Sequence, residues 1–187
     1  MKRYSSIAIS FFLAVVICLF PYGQLLAEPG IQMHRVQVSE KDSNGWYPAR
    51  STNGRFSVLL PLPFNDFSVP GDGSSEVLRS EVVGGKSTEG IKFSATRIYY
   101  VRDGLAEKYF SKFRSGQVFP GSPTRAIRYK NHDAVDIEVS TSTSGSWQRA
   151  VLLNKSMILL IVEWPREYES IVKDIAGTFL DSLDIGG

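Results

Sequence analysis

The sequence predicts an α+β fold: an antiparallel β-sheet with helices packed on its faces, an α/β/α sandwich. Three observations predict it. Apolar stretches of strand length follow one another across short, turn-rich links, so neighbouring strands pair antiparallel. Two stretches, 103–116 and 165–183, carry apolar residues at spacings of three and four, the period of an amphipathic helix. One helical stretch falls between groups of strands and the other closes the ordered pattern. That order sets helices onto a sheet and does not alternate them with parallel strands.

The chain opens with a basic start, Lys2-Arg3, and an apolar run from Ile7 to Phe20. Pro21 and Gly23 break the run, and Leu25-Leu26-Ala27 ends in a small residue. This is the pattern of an export signal, with cleavage between Ala27 and Glu28. The run is shorter than the roughly 18–20 residues a spanning helix needs. An uncleaved anchor is the alternative. Cys18, the one cysteine, follows bulky Val16 and Ile17, which does not suit a lipid-attachment site. It departs with the signal, so the mature chain has no disulfide framework, thiolate nucleophile or cysteine metal site. The compartment expected is the bacterial periplasm or the exterior.

Residues 28–45 are polar and weakly patterned, and read as a flexible leader or loosely docked arm. The single domain is expected at 46–187. Trp46-Tyr47 and Phe56–Leu60 flank the turn Thr52-Asn53-Gly54 and make a hairpin. Pro61–Ser75, with Pro61, Pro63, Pro70, Gly71 and Gly73, reads as a loop into which Phe64 and Phe67 tuck. Val77–Val83 and Ile91–Val101 read as a second hairpin across the Gly84–Gly90 link, with a bulge near Arg97 where the apolar phase changes.

Asp103 is placed to cap a helix carrying Leu105, Ala106, Tyr109, Phe110 and Phe113, which Gly116 ends. After the 117–124 loop come Ala134–Val139, Trp147–Leu153 and Ser156–Trp164, a meander whose last member is apolar enough to be covered on both faces. Asn154-Lys155-Ser156 fits a glycosylation sequon but reads as the turn between two of these strands. Pro165 opens the terminal helix. Its apolar stripe is Tyr168, Ile171, Val172, Ile175, Phe179, Leu180 and Leu183, with charged residues opposite.

Charge narrows the partners. The 187-residue chain has 21 Lys and Arg against 19 Asp and Glu, and losing Lys2 and Arg3 leaves 19 of each. A neutral mature chain without a basic run does not suit nucleic acid.

Trp46-Tyr47 … Gly54-Arg55-Phe56-Ser57-Val58-Leu59-Leu60-Pro61, then 131–139 from Asn131-His132-Asp133-Ala134 to Val139, then Tyr168 … Phe179-Leu180-Asp181-Ser182-Leu183, resemble the PsbP-like superfamily. The resemblance runs from about Trp46 to Ile185. Ala134 stands where the family usually has glycine. The resemblance implies an antiparallel sheet with helices on both faces and an accessory or binding role. It implies no catalytic residue.

Residue chemistry points the same way. His34 lies in the leader, and His132-Asp133 lacks the third and fourth ligands a metal needs. The Ser140–Ser146 tract contains no G-x-S-x-G. Asp136 and Glu138 share a strand face, read as solvated, opposite Val135, Ile137 and Val139. Gly71-Asp72-Gly73 and Gly84-Gly85 lack phosphate-loop spacing and are read as turns. No catalytic residue, cofactor or metal is therefore expected. The aromatics divide between core and a binding groove; Phe64, Phe67, Phe119 and Trp147 are the groove candidates. The expectation is a non-enzymatic accessory protein for a protein partner or a small apolar ligand, with membrane contact only through the amino-terminal segment. A hydrolase or metal enzyme seeded by His132/Asp133 or Asp136/Glu138, and an anchored envelope protein, are the alternatives.

Overall fold

The computed structural model describes residues 30–73 and 75–186. The signal segment and its cleavage point, Ala27–Glu28, lie outside them. Ten strands and two α-helices are described: β1 Gln32–Val38, β2 Tyr47–Arg50, β3 Ser57–Leu60, β4 Phe64–Pro70, β5 Val77–Lys86, β6 Lys92–Tyr100, α1 Leu105–Arg114, β7 Thr124–Tyr129, β8 His132–Ser140, β9 Ser144–Leu152, β10 Ser156–Pro165 and α2 Glu169–Asp181. A 3-10 turn, Arg166–Tyr168, leads into α2.

Eight strands form one sheet in the order β1-β4-β5-β6-β10-β9-β8-β7, and β2 and β3 form a separate hairpin. Every pairing is antiparallel. β10 sits inside the sheet and both its faces are buried, as its apolar run predicts. β8, β9 and β10 form the expected meander.

One face carries the β2–β3 hairpin and α2. Ser57 and Asp184 exchange backbone hydrogen bonds, and the Leu59 N–H donates to Ser182 Oγ at 2.8 Å. Beneath lie Phe64, Val83, Phe93, Ala95, Ile158 and Leu160, and Phe179 of α2 packs down onto them. Phe93 and Phe179 meet edge to face with centroids 5.3 Å apart. The other face carries α1, whose Leu105, Ala106, Tyr109, Phe110 and Phe113 cover Ile98, Tyr100, Leu159 and Ile161. The Tyr100 and Tyr109 rings stack at 5.2 Å. This is the α+β sandwich.

Several elements differ from the sequence reading. Gln32–Val38, within the supposed leader, is ordered as edge strand β1. Its ladder to β4 is irregular, and side chains supply what the ladder lacks: Arg35 pairs with Asp66, and the Gln37 N–H donates to Asn65 Oδ1. Phe64–Pro70, read as loop, is β4, and Thr124–Tyr129 is a strand with no counterpart in the sequence reading. The bulge falls in β5, between Val77 and Arg79, not near Arg97. β6 is regular. Its apolar phase changes because Phe93 and Ala95 enter one core, Ile98 and Tyr100 the other. Gly84 and Gly85, read as a turn, lie inside β5. The α1 N-cap is Gly104 at φ 80°, without a side-chain cap, while Asp103 pairs with Lys155. Ile171 faces solvent although it falls on the predicted stripe.

Candidate functional site

The four groove aromatics do not converge. Phe64 and Phe67 are 0% and 1% exposed and are core residues, because β4 runs through the sheet where a loop was expected. They are unavailable to a partner. Trp147 is half-buried against the α2-side core, and Phe119 is half-buried against the α1-side core, so the reachable pair lies on opposite faces.

The described residues do bring together two polar clusters, both on the α2 side of the sheet. The first lies under the turn between β2 and β3. Asp66 of β4, fully buried, accepts at Oδ2 from Arg35 Nε (3.0 Å), Arg35 Nη2 (2.9 Å), Thr52 N (3.0 Å) and Thr52 Oγ1 (2.6 Å). Next along β4, Ser68 Oγ lies 2.6 Å from His34 Nε2 and donates to the buried Glu81 carboxylate. Arg79 Nε pairs with Glu81 at 3.0 Å. Arg97 reaches Gly54 O and Ser156 Oγ, both at 3.0 Å, holding the turn down.

His34, Ser68 and Glu81 are residue types that can act as base, nucleophile and acid, but their order opposes that chemistry. A serine nucleophile passes its proton to the imidazole, which the acid orients from the far side. Here the Ser68 proton is directed to Glu81, and the imidazole Nε2 meets the serine oxygen and, at 3.2 Å, the Asn53 side-chain amide. No described contact joins Glu81 to His34. The arrangement is a buried hydrogen-bonded chain that satisfies Glu81 and fastens β1 to β4 and β5. Sequence reasoning missed it because His34 fell in the leader and Ser68 in the loop. The run Phe64-Asn65-Asp66-Phe67-Ser68-Val69, bounded by Pro63 and Pro70, was the available signal for a strand.

The second cluster centres on Arg149 of β9. It bridges Asp136 of β8 and Asp181 at the end of α2, and donates to Leu180 O at 3.1 Å. Its guanidinium lies 5.2 Å from the Tyr129 ring centroid. Tyr129 Oη donates to Asp181 O and Leu183 O at 2.8 Å. Burial opposes the charged form of Arg149, but its bonds to Asp136 and Asp181 outweigh that and hold the group protonated, above its ordinary value. Burial pushes the Tyr129 hydroxyl up; Arg149 pulls the other way, and Asp181 and Asp184 add to the rise. Asp136 is thus no member of a solvated face: it is 5% exposed, and Arg125 also reaches it at 3.0 Å. Glu138 is exposed and pairs with Lys173. His132 opens β8 opposite Tyr129, and Asp133 pairs with Arg128. No group of three metal-ligating side chains occurs among the described residues.

No family model matches the chain, and no curated protein sequence matches it. Solved structures do. Cyanobacterial PsbP (CyanoP) from Synechocystis superposes with a TM-score of 0.50 at 12% identity, over 80% of this chain and 98% of that one. The chain has the PsbP-like fold. LpqN of Mycobacterium tuberculosis, described as involved in cell envelope biogenesis, aligns with a TM-score of 0.38 at 12% identity, over 90% of this chain and 98% of that one. At such identities the likeness to PsbP is one of fold, and the residues of a site have to be argued from this chain's own geometry.

Proposed function

We propose that this PsbP-like chain is an exported, non-enzymatic accessory protein that engages a protein partner or a small apolar ligand in an envelope or secretion assembly. The observation that carries the reading is the use made of its reactive side chains. His34, Ser68, Glu81, Asp136 and Arg149 are spent on holding strands and helix ends together. The export pattern of residues 1–27 supplies the compartment, the periplasm or the exterior, with cleavage after Ala27. Phe119 and Trp147 are the groove candidates still within reach of a partner, each on its own face.

The test is affinity capture of the tagged, full-length gene product from native envelope extracts, with intact-mass measurement of the bait. A partner retained by the parent and lost on Phe119→Ser or Trp147→Ser, from a bait cut after Ala27, supports the reading. An uncut bait fractionating with membranes favours the anchored alternative. A catalytic turnover abolished by Ser68→Ala overturns the non-enzymatic assignment.

A further inference from the structure

We propose that the open edge of the sheet, β7, is a self-association surface, on which the β7 strand of a second copy of this chain pairs antiparallel about a two-fold axis at Ala126. The proposal goes beyond the accessory reading and does not depend on it.

The two edges of the eight-stranded sheet differ. β1 pairs with β4 through a ladder whose register shifts between Met33 and Arg35 and again between Arg35 and Val38. Such irregularity spoils an edge as a template for another strand. β7 is regular: Thr124 to Tyr129 pair with Ile137 to His132 without a shift. Hydrogen bonding shows which of its residues face outward. The Glu138 N–H donates to Pro123 O, so these two residues form a hydrogen-bonded pair. By alternation Arg125, Ile127 and Tyr129 turn their backbone groups to β8, while Thr124, Ala126 and Arg128 turn theirs outward. All three outward residues are exposed, and no described residue bonds their N–H or C=O groups. Water can satisfy such groups singly, but only an extended chain pairs with the whole row. The occupant this edge fits is therefore a β-strand.

The charges on β7 do not guard the edge. Arg125 Nη2 reaches back to Asp136 at 3.0 Å, and Arg128 donates to Asp133 Oδ1 (2.5 Å) and Asn131 O (2.6 Å). These acceptors lie on β8 or in the turn before it, away from the edge. An acidic strand would have to displace those carboxylates, whereas a second β7 meets no unpaired charge. Its register is self-complementary. With Ala126 opposite Ala126, Thr124 falls opposite Arg128 and Arg125 opposite Ile127, so no like charges are directly opposed. The small side chain leaves the axis clear. The Arg125 stem then lies along the half-buried Ile127 of the other copy. Two eight-stranded sheets become one continuous sheet.

Sedimentation equilibrium of the gene product, as isolated from expressing cells, tests this. The parent should dimerise reversibly. Ala126→Pro removes an outward N–H, which an edge strand tolerates, and should leave a monomer. Ala126→Glu and Ala126→Lys set like charges against each other at the axis and should each weaken the dimer at least about tenfold. An equimolar mixture of those two should restore association as a heterodimer, a result no folding defect imitates. Val36→Glu, at a position 55% exposed on the opposite edge, should leave association unchanged. A parent that stays monomeric up to about 1 mM overturns the proposal. So does a dimer indifferent to Ala126→Pro and Ala126→Glu, or one lost in Val36→Glu. A different protein held by the parent and released by Ala126→Pro, with no dimer formed, also overturns it, because the edge would then serve a foreign strand.

Discussion

Arg149 and Asp136 face each other across β9 and β8 in a two-point contact, Nε to Oδ1 at 2.7 Å and Nη2 to Oδ2 at 3.1 Å, with both side chains buried. The same guanidinium holds Leu180 O and Asp181 Oδ1, so one side chain joins two strands to the end of α2. Removing one partner strands the other charge away from water. Arg149→Met should cost about 3–5 kcal/mol in urea unfolding, while Arg149→Met/Asp136→Leu should recover much of that loss. Simple addition of the two single effects would show that the pair is not coupled.

Ser68 gives the second prediction. Its hydroxyl satisfies buried Glu81, so Ser68→Ala should destabilise by about 1–3 kcal/mol. Because the proton is already directed to the carboxylate, a fluorophosphonate probe should leave Ser68 unlabelled. Stoichiometric labelling of the parent that disappears in Ser68→Ala would return the hydrolase alternative to first place.

Which parts of the molecule were legible follows from how many layers set each pattern. α1 and the strands of the terminal meander follow from periodicity, since each buries its predicted apolar set. β1 was not legible because its ladder to β4 is broken, and side-chain bonds to residues 31 and 28 positions away supplement it. β4 was disguised by the prolines at its ends. Asp136 alternates with Val135 and Ile137, a pattern shared by any half-solvated strand. Its burial depends on Arg149, Arg125 and the end of α2, which local sequence does not display.

Gly85 illustrates the same point and can be tested. Inside β5, a Cβ there would lie 2.2 Å from Leu62 Cδ1 and 2.3 Å from Pro63 O. Glycine is required by a crossing chain, with no turn involved. Gly85→Ala should cost about 1–3 kcal/mol or more through forced displacement of Leu62 and Pro63, whereas Gly121→Ala, in open space but at φ 86°, should cost only its local backbone strain. Equal melting temperatures for Gly85→Ala and the parent would refute the close approach.

Tyr109 and Glu76 provide a pH-dependent contact between α1 and the start of β5. The Tyr109 hydroxyl donates to Glu76 Oε2 at 2.5 Å, and Lys108 Nζ reaches the same carboxylate at 3.1 Å. Burial first, then this hydrogen bond and the carboxylate charge, push Tyr109 up to about 12. The Tyr109 bond and then Lys108 hold Glu76 below its ordinary value. Tyr109 therefore contributes stability that is complete below pH 10 and lost as pH rises through about 12. Glu76 contributes stability that is present above the ordinary carboxylate range and lost as pH falls through its lowered value. In Glu76→Gln, tyrosinate absorbance should show Tyr109 ionising below about 12 yet above 10, because burial persists when the charge is gone. Tyr109→Phe should delete that ionisation step in both backgrounds. An unchanged Tyr109 step in Glu76→Gln would mean that the carboxylate does not sense the hydroxyl.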